Sequence, residues 1–187
     1  MPPPLKLSAT AYVVLGLISV RPAAGHELAG FSDRSIGNFF PIARSQIYSE
    51  LERLCELGLL SVMEVPQRRW PTKRVYQMTE SGEAELRRWL VEAPVQAERH
   101  RNLFLVRVFF GDQVPPERLE ALLGEHQANA RAHRDTLAAV AEDLADRPQA
   151  AFRRATALYG LHHAQATLDW VAEVRSILRD HAAHGVG

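Results

Sequence analysis

The sequence predicts a mainly α fold in two parts: a head of short helices closed by one β-hairpin, then a half built of long helices. Three observations predict it. Apolar residues recur at helical spacing along most of the 187 residues. The period turns extended only once, in two short runs on either side of a cation-rich loop at 66–74. Pro94 then separates this head from two helical patterns longer than any before it. The expected domains are 1–94, with 1–7 a flexible proline-rich arm, and 95–187.

Composition narrows the class. Hydrophobic residues make up 47% and charged residues 24%, enough to bury a core and too apolar for disorder. Net charge is zero and the halves on either side of Pro94 are each close to neutral, so any nucleic-acid binding must rest on local patches. The single cysteine, Cys55, excludes an intrachain disulfide and a cysteine-based metal site, and suits a reducing cytoplasm. It lies beside an apolar stripe and reads as a core filler rather than a redox sensor. Ala11–Val20 is far shorter than the roughly 20 residues of a membrane span and lacks a secretion signal's cleavage pattern. A cytoplasmic protein without membrane association is expected.

Taken in order, Ser8 can N-cap a first helix running to about Ser19, with Val14, Leu15 and Ile18 on its core face. Arg21-Pro22 breaks it. A second helix spans Ala24 to Arg34 with Leu28 and Phe31 inward, and Gly37-Asn38 and Pro41 mark a loop from Ser35 to Ile42. The stretch Ala43–Leu60 (ARSQIYSELERLCELGLL) is the most informative. Ile47, Leu51 and Leu54 form one apolar stripe at helical period, and Gly58 supplies the stop. Away from that stripe lie Arg44, Ser45, Gln46, Tyr48, Ser49 and Arg53. By itself this is an ordinary amphipathic surface helix.

The next segment changes that reading. Leu60–Val65 and Val75–Thr79 are β-rich runs, and the loop between them, PQRRWPTKR, holds Arg68, Arg69, Lys73 and Arg74 with no acid. Trp70 at its tip reads as packing against Pro71 or a partner chain rather than as a wedge into a sugar backbone. Thr79 N-caps a fourth helix, Glu80 and Glu83 complement its macrodipole, and Leu86, Trp89 and Leu90 are expected inward. Three helices followed by a hairpin with a basic tip make a winged helix-turn-helix arrangement.

In the second half, Arg99–Phe110 is a short apolar helix ended by Gly111-Asp112. Pro115-Pro116 opens a long one, with proline tolerated at the helix start. Its stripe, Leu119, Leu123, His126, Ala130, His133, Leu137, Val140 and Leu144, alternates steps of four and three like a heptad seam. After Pro148 a last helix, about Gln149–His181, is apolar on two faces: Leu161, Ala164, Leu168, Val171 and Leu178 on one, Tyr159, Ala166, Trp170, Val174 and Ile177 on the other. Both must be covered. One facing helix cannot do this, so a two-fold homodimer through the C-terminal helices is expected.

These elements predict that each protomer places the start of the third helix in a major groove of double-stranded DNA. Arg44, Ser45, Gln46, Tyr48 and Ser49 make contact, and Arg68, Arg69, Lys73 and Arg74 hold the flanking backbone. Glu52 and Glu56, further along the same side, repel phosphate. A symmetric dimer implies a palindromic operator with half-sites roughly 34 Å apart. The competing reading is a ligand-binding or protein-interaction helical dimer that does not bind DNA; the acid-free wing argues against it. No phosphate loop, nucleophile elbow or carboxylate cluster points to an enzyme. His126 and His133 stand about 10 Å apart along one helix, too far to share an ion, and the adjacent His162 and His163 point to different sides. No metal or other cofactor is expected.

The chain resembles the PadR family of bacterial transcriptional regulators over nearly its whole length. The resemblance rests on VLGLIS…GHEL (Val14–Ser19, Gly25–Leu28), on Phe40-Pro41-Ile42…Gln46-Ile47-Tyr48…Leu51…Leu54…Gly58-Leu59-Leu60, on the run Arg74–Gly82 down to Leu86 and Trp89, and on Leu105–Glu117. It implies a winged helix-turn-helix domain, a C-terminal helical dimerisation domain, and a dimeric repressor released by a small aromatic or amphipathic effector. The effector site implied lies between head and C-terminal helices. Trp89, Phe104, Arg107, Tyr159, His163 and Trp170 would line it, aromatics for a planar ligand and Arg or His for an acid group. Three departures stand out: Ala43 where a serine would cap the third helix, Arg44-Ser45 where many members have Pro-Gly, and His26 where the family often has Tyr.

Overall fold

The computed structural model describes residues 7–66, 72–94 and 102–183. The chain divides into two compact units, Met1–Ala97 and Glu98–Gly187.

In the first unit, α1 (Ala9–Val20) is capped by Ser8, whose hydroxyl accepts the Ala11 N–H at 3.0 Å. It buries Ala11, Val14, Leu15 and Ile18. Chain direction changes at Arg21-Pro22 into a two-residue strand, β1 (Ala23–Ala24), that no sequence pattern announces. Two alanines carry no periodicity; only pairing with a distant strand makes them one. α2 (Gly25–Ser35) and α3 (Arg44–Glu56) follow. The stripe Ile47, Leu51 and Leu54 is fully buried. Gly58, at φ 70°, closes α3 with a paired cap: the Leu59 N–H donates to the Leu54 carbonyl and the Gly58 N–H to that of Cys55, each at 2.9 Å.

β2 (Leu60–Val65) and β3 (Lys73–Met78) form an antiparallel ladder, with strand order β1-β3-β2. β3 begins two residues before the predicted Val75, so Lys73 and Arg74 belong to the strand and not to the loop. Lys73 pairs with Val65, and Arg74 sits opposite Glu64, an opposite-charge pair that a search for β-branched residues overlooks. α4 (Glu80–Glu92) is capped by Thr79, which accepts the Gly82 N–H at 3.1 Å. Leu86 is buried and the Trp89 ring stacks on Tyr12 at 4.7 Å. Leu90, expected inward, is 67% exposed: Leu86 and Trp89 already set the inner line, and Leu90 falls beyond its edge.

In the second unit, α5 (Leu103–Phe109) is capped by Asn102, which accepts the N–H groups of Phe104 and Leu105. The predicted start at Arg99 lies outside the described residues. α6 (Pro116–Asp143) and α7 (Ala151–Ala183) pack on each other as a long hairpin. Of the predicted seam, Leu119, Leu123 and Leu137 are buried and Val140 is exposed; Leu122 and Ala141, which the heptad count skipped, are buried. On α7, Ala164, Leu168 and Val171 are buried while Tyr159, Ala166 and Ile177 face solvent. Trp170 and Val174 are half-covered, Trp170 by the Phe104 ring of α5.

Candidate nucleic-acid interface

α3 begins without a side-chain cap, because Ala43 has no oxygen to offer the free N–H groups of the first turn. Gln46 supplies half of a capping box instead: its Oε1 accepts the Ala43 N–H at 3.3 Å. One of the five predicted contact residues is therefore partly engaged by its own helix. Arg44, Ser45 and Ser49 are exposed. Tyr48 is 44% exposed and its ring lies against Gly25, where a Cβ would collide with it.

That contact sets the outer side of α3 against the N-terminus of α2. An open cleft of about 690 Å³ runs between the N-terminus of α2, the outer side of α3 and the start of β3, and is lined by Gly25, His26, Glu27, Tyr48, Glu52, Thr72, Lys73, Arg74 and Tyr76. Three residues predicted from two separate sequence features, Tyr48 from the third helix and Lys73 and Arg74 from the basic loop, thus meet in one site. Arg68, Arg69 and Trp70 lie outside the described residues.

The electrostatics differ from an acid-free wing. Every described cation on α3 and β3 has a carboxylate partner. Arg44 reaches Asp33 at 3.4 Å, Arg53 reaches Glu50 at 3.3 Å, Lys73 reaches Glu27 at 2.8 Å and Arg74 reaches Glu52 at 3.6 Å. The Lys73 ammonium, followed by the Ala24 N–H, holds the Glu27 carboxyl below its usual range. The Arg74 guanidinium also lies over the Tyr76 ring, 5.5 Å from its centroid. Sequence reasoning missed Glu27 and Asp33. The signal for Glu27 was its place in the first turn of α2, where an acid caps; that it faces the wing follows from the β1–β3 pairing of Ala24 with Val75. Cys55 is half-buried, and burial pushes its thiol up, away from the reactive thiolate.

The residues proposed for an effector belong to both units. Trp89 stacks on Tyr12 in the first unit. In the second, Phe104 stacks on His126 at 4.0 Å and meets Trp170 edge-on at 6.0 Å, a packed aromatic cluster. Arg107, Tyr159 and His163 are exposed. Tyr159 and Trp170 stand eleven residues apart on α7, about 16 Å along its axis, too far to grip one small molecule in a single unit. Among the described residues no group of three His, Cys, Asp or Glu could hold a metal ion, and no helix is long and apolar enough to cross a membrane.

Residues 14–88, from α1 through most of α4, match the model of the transcriptional regulator PadR-like family. That segment is a domain of the PadR-like family of transcriptional regulators. Residues 100–179 match a second model, the C-terminal domain of virulence activator alpha. Among relatives, the negative transcriptional regulator PadR of Bacillus subtilis is 28% identical over 99 residues, 53% of this chain and 54% of that protein. A probable transcriptional regulator of Mycobacterium tuberculosis is 36% identical over 84 residues, 45% of this chain and 44% of that protein. The chain thus spans about half the length of the curated relatives it matches. Crystal structures of Bacillus subtilis PadR, with operator DNA and with p-coumaric acid, give TM-scores of 0.83 and 0.78 at 20% identity. They cover 91% and 92% of this chain and 99% of theirs. That likeness shows a shared mainly α winged-helix fold.

Proposed function

We propose that this PadR-like chain is a cytoplasmic, DNA-binding transcriptional repressor, not an enzyme, that works as a homodimer through its C-terminal helices. The observation that carries the DNA reading is the convergence of Tyr48, Lys73 and Arg74 in one cleft beside the exposed first turns of α3. The first half of α3 enters a major groove of a palindromic operator. Arg44, Ser45, Gln46, Tyr48 and Ser49 face bases and phosphates, and Arg68, Arg69, Lys73 and Arg74 supply the wing's charge. The operator-bound relative of the same fold supports this placement. The dimer is supported by the apolar side chains left uncovered on α5 and α7, among them Leu103, Phe109 and Phe152.

Footprinting on DNA beside its own gene tests the reading. Two protected half-sites about one helical turn apart are expected, and Arg44→Ala with Tyr48→Ala should abolish protection. An unprotected template would overturn it. The p-coumaric acid complex of the same relative suggests an effector of small aromatic-acid class, which would release DNA by favouring the unbound geometry. Titrating p-coumaric acid into the DNA complex checks this; an unchanged affinity refutes it for that compound. A helical dimer that does not bind DNA is the second reading, and the pairing of each cation on α3 and β3 with an acid favours it. A salt titration separates the two, since only DNA binding gives a linear fall of log affinity with log salt.

A further inference from the structure

The two cations at the base of the wing are held by acids in different ways. Lys73 donates to Glu27 at 2.8 Å, with the two side chains only 25% and 35% exposed. Glu27 accepts the Ala24 N–H at 3.0 Å as well, and Ala24 is paired with Val75 in the sheet. The chain therefore closes on itself from Lys73 to Glu27, to Ala24, to Val75. Pulling Lys73 away breaks into the start of α2 and the edge of the sheet together. Arg74 has no such ring. Its contact with Glu52 is a single approach at 3.6 Å, longer than a good hydrogen bond, between side chains 47% and 63% exposed. Exposed pairs of this kind contribute little to folding and exchange partners readily.

We propose that Lys73–Glu27 is a fixed strut that sets the wing's position, while Arg74–Glu52 is a releasable latch that a DNA phosphate must open. This rests on the DNA reading above and revises it at one residue: Lys73 positions the wing and does not bind phosphate. Glu52 stands on α3 one turn beyond Tyr48 and lines the same cleft. A phosphate oxygen there competes with the Glu52 carboxylate for the Arg74 guanidinium, which bonds phosphate bidentately. The displaced carboxylate then faces the phosphate and keeps a cation that DNA would otherwise have released. Glu52 is thus a brake on affinity, and the sequence places it where removing its charge leaves the apolar stripe of α3 untouched.

The test is binding of the full-length protein to a labelled mixed-sequence DNA duplex across a salt series. Glu52→Gln is expected to tighten binding about tenfold and to steepen the slope of log affinity against log salt by up to about 0.9. Adding Arg74→Gln to it should reverse both. Lys73→Gln should lower the melting temperature and leave the slope unchanged. Weaker binding or an unchanged slope for Glu52→Gln overturns the latch, and a shallower slope for Lys73→Gln overturns the strut. Glu52 is 63% exposed, so its variant decides the matter whatever Lys73→Gln does to folding. If the unmodified protein shows no salt-dependent binding, the DNA reading and the latch both fail. If it binds with slopes that ignore Glu52, only the latch does.

Discussion

The two units bury apolar surface by different means. In the first, residues from all four helices and all three strands meet in one cluster, from Ala11 on α1 to Leu86 on α4. In the second, the cluster beneath α5 is, among the described residues, Leu119, Leu123 and Val171, with Phe104, Val114, Trp170, Val174 and Leu178 half-covered around it. α5 buries no residue at all. Leu103 is 77%, Phe109 81% and Phe152 88% exposed. A head with a closed core can hold a contact surface rigid by itself. A tail this open has apolar area to spare for another chain, so it is where association and its regulation are to be sought.

The head depends most on Leu51, fully buried on α3. Leu51→Ala should cost about 2–5 kcal/mol and lower the urea midpoint of the head without changing oligomeric state. The converse substitution, Leu103→Ser with Phe109→Ser, should leave helical content intact and halve the sedimenting mass. A wild-type protein that sediments as a monomer would end the dimer reading.

Acid should separate the units next. Burial pushes the His126 imidazole below its ordinary value, so the folded tail disfavours its protonated form. Tail stability is therefore complete above an ordinary histidine pKa, about 6.5, and falls as pH drops below it. In the head, Arg88 and Tyr12 hydrogen bonds hold the Glu85 carboxyl low, and Lys73 with the Ala24 N–H does so for Glu27. Head stability is complete above the usual glutamate range, about 4.3, and is lost as pH falls through the lowered values. Melting curves taken from pH 7 to 3 should show the tail softening first, and His126→Phe should remove that early loss while keeping the ring stack on Phe104.

The smallest effects sharpen the picture of the head's corners. Thr79→Ala removes the cap of α4 and should cost about 1 kcal/mol. Gly58→Ala, at positive φ, should cost a similar amount, about 1 kcal/mol. Both are read from denaturant midpoints, and an unchanged DNA affinity of the folded variants would show that these corners do no more than hold the fold.

Much of the head was legible because its signals are local. Ser8, Thr79 and Gly58 cap helices within one turn of themselves, and Ile47, Leu51 and Leu54 declare their face by spacing. β1 was not legible, since two alanines become a strand only when β3 arrives. The tail's heptad count found Leu119, Leu123 and Leu137 but missed Leu122 and Ala141, because α7 covers a wider band of α6 than a two-residue seam.

The sequence by itself determined the mainly α class, the order of the head's four helices and its hairpin, and which helix and which loop carry the polar groups proposed for a nucleic-acid contact. Those are consequences of periodicity and capping, which act over a few residues. Only the tertiary structure decided that Tyr48, Lys73 and Arg74 share a cleft, and that Glu27 and Glu52 stand against the wing's cations. Such pairings join residues more than twenty positions apart, and their Coulomb energies depend on distance in space, which spacing along the chain does not encode.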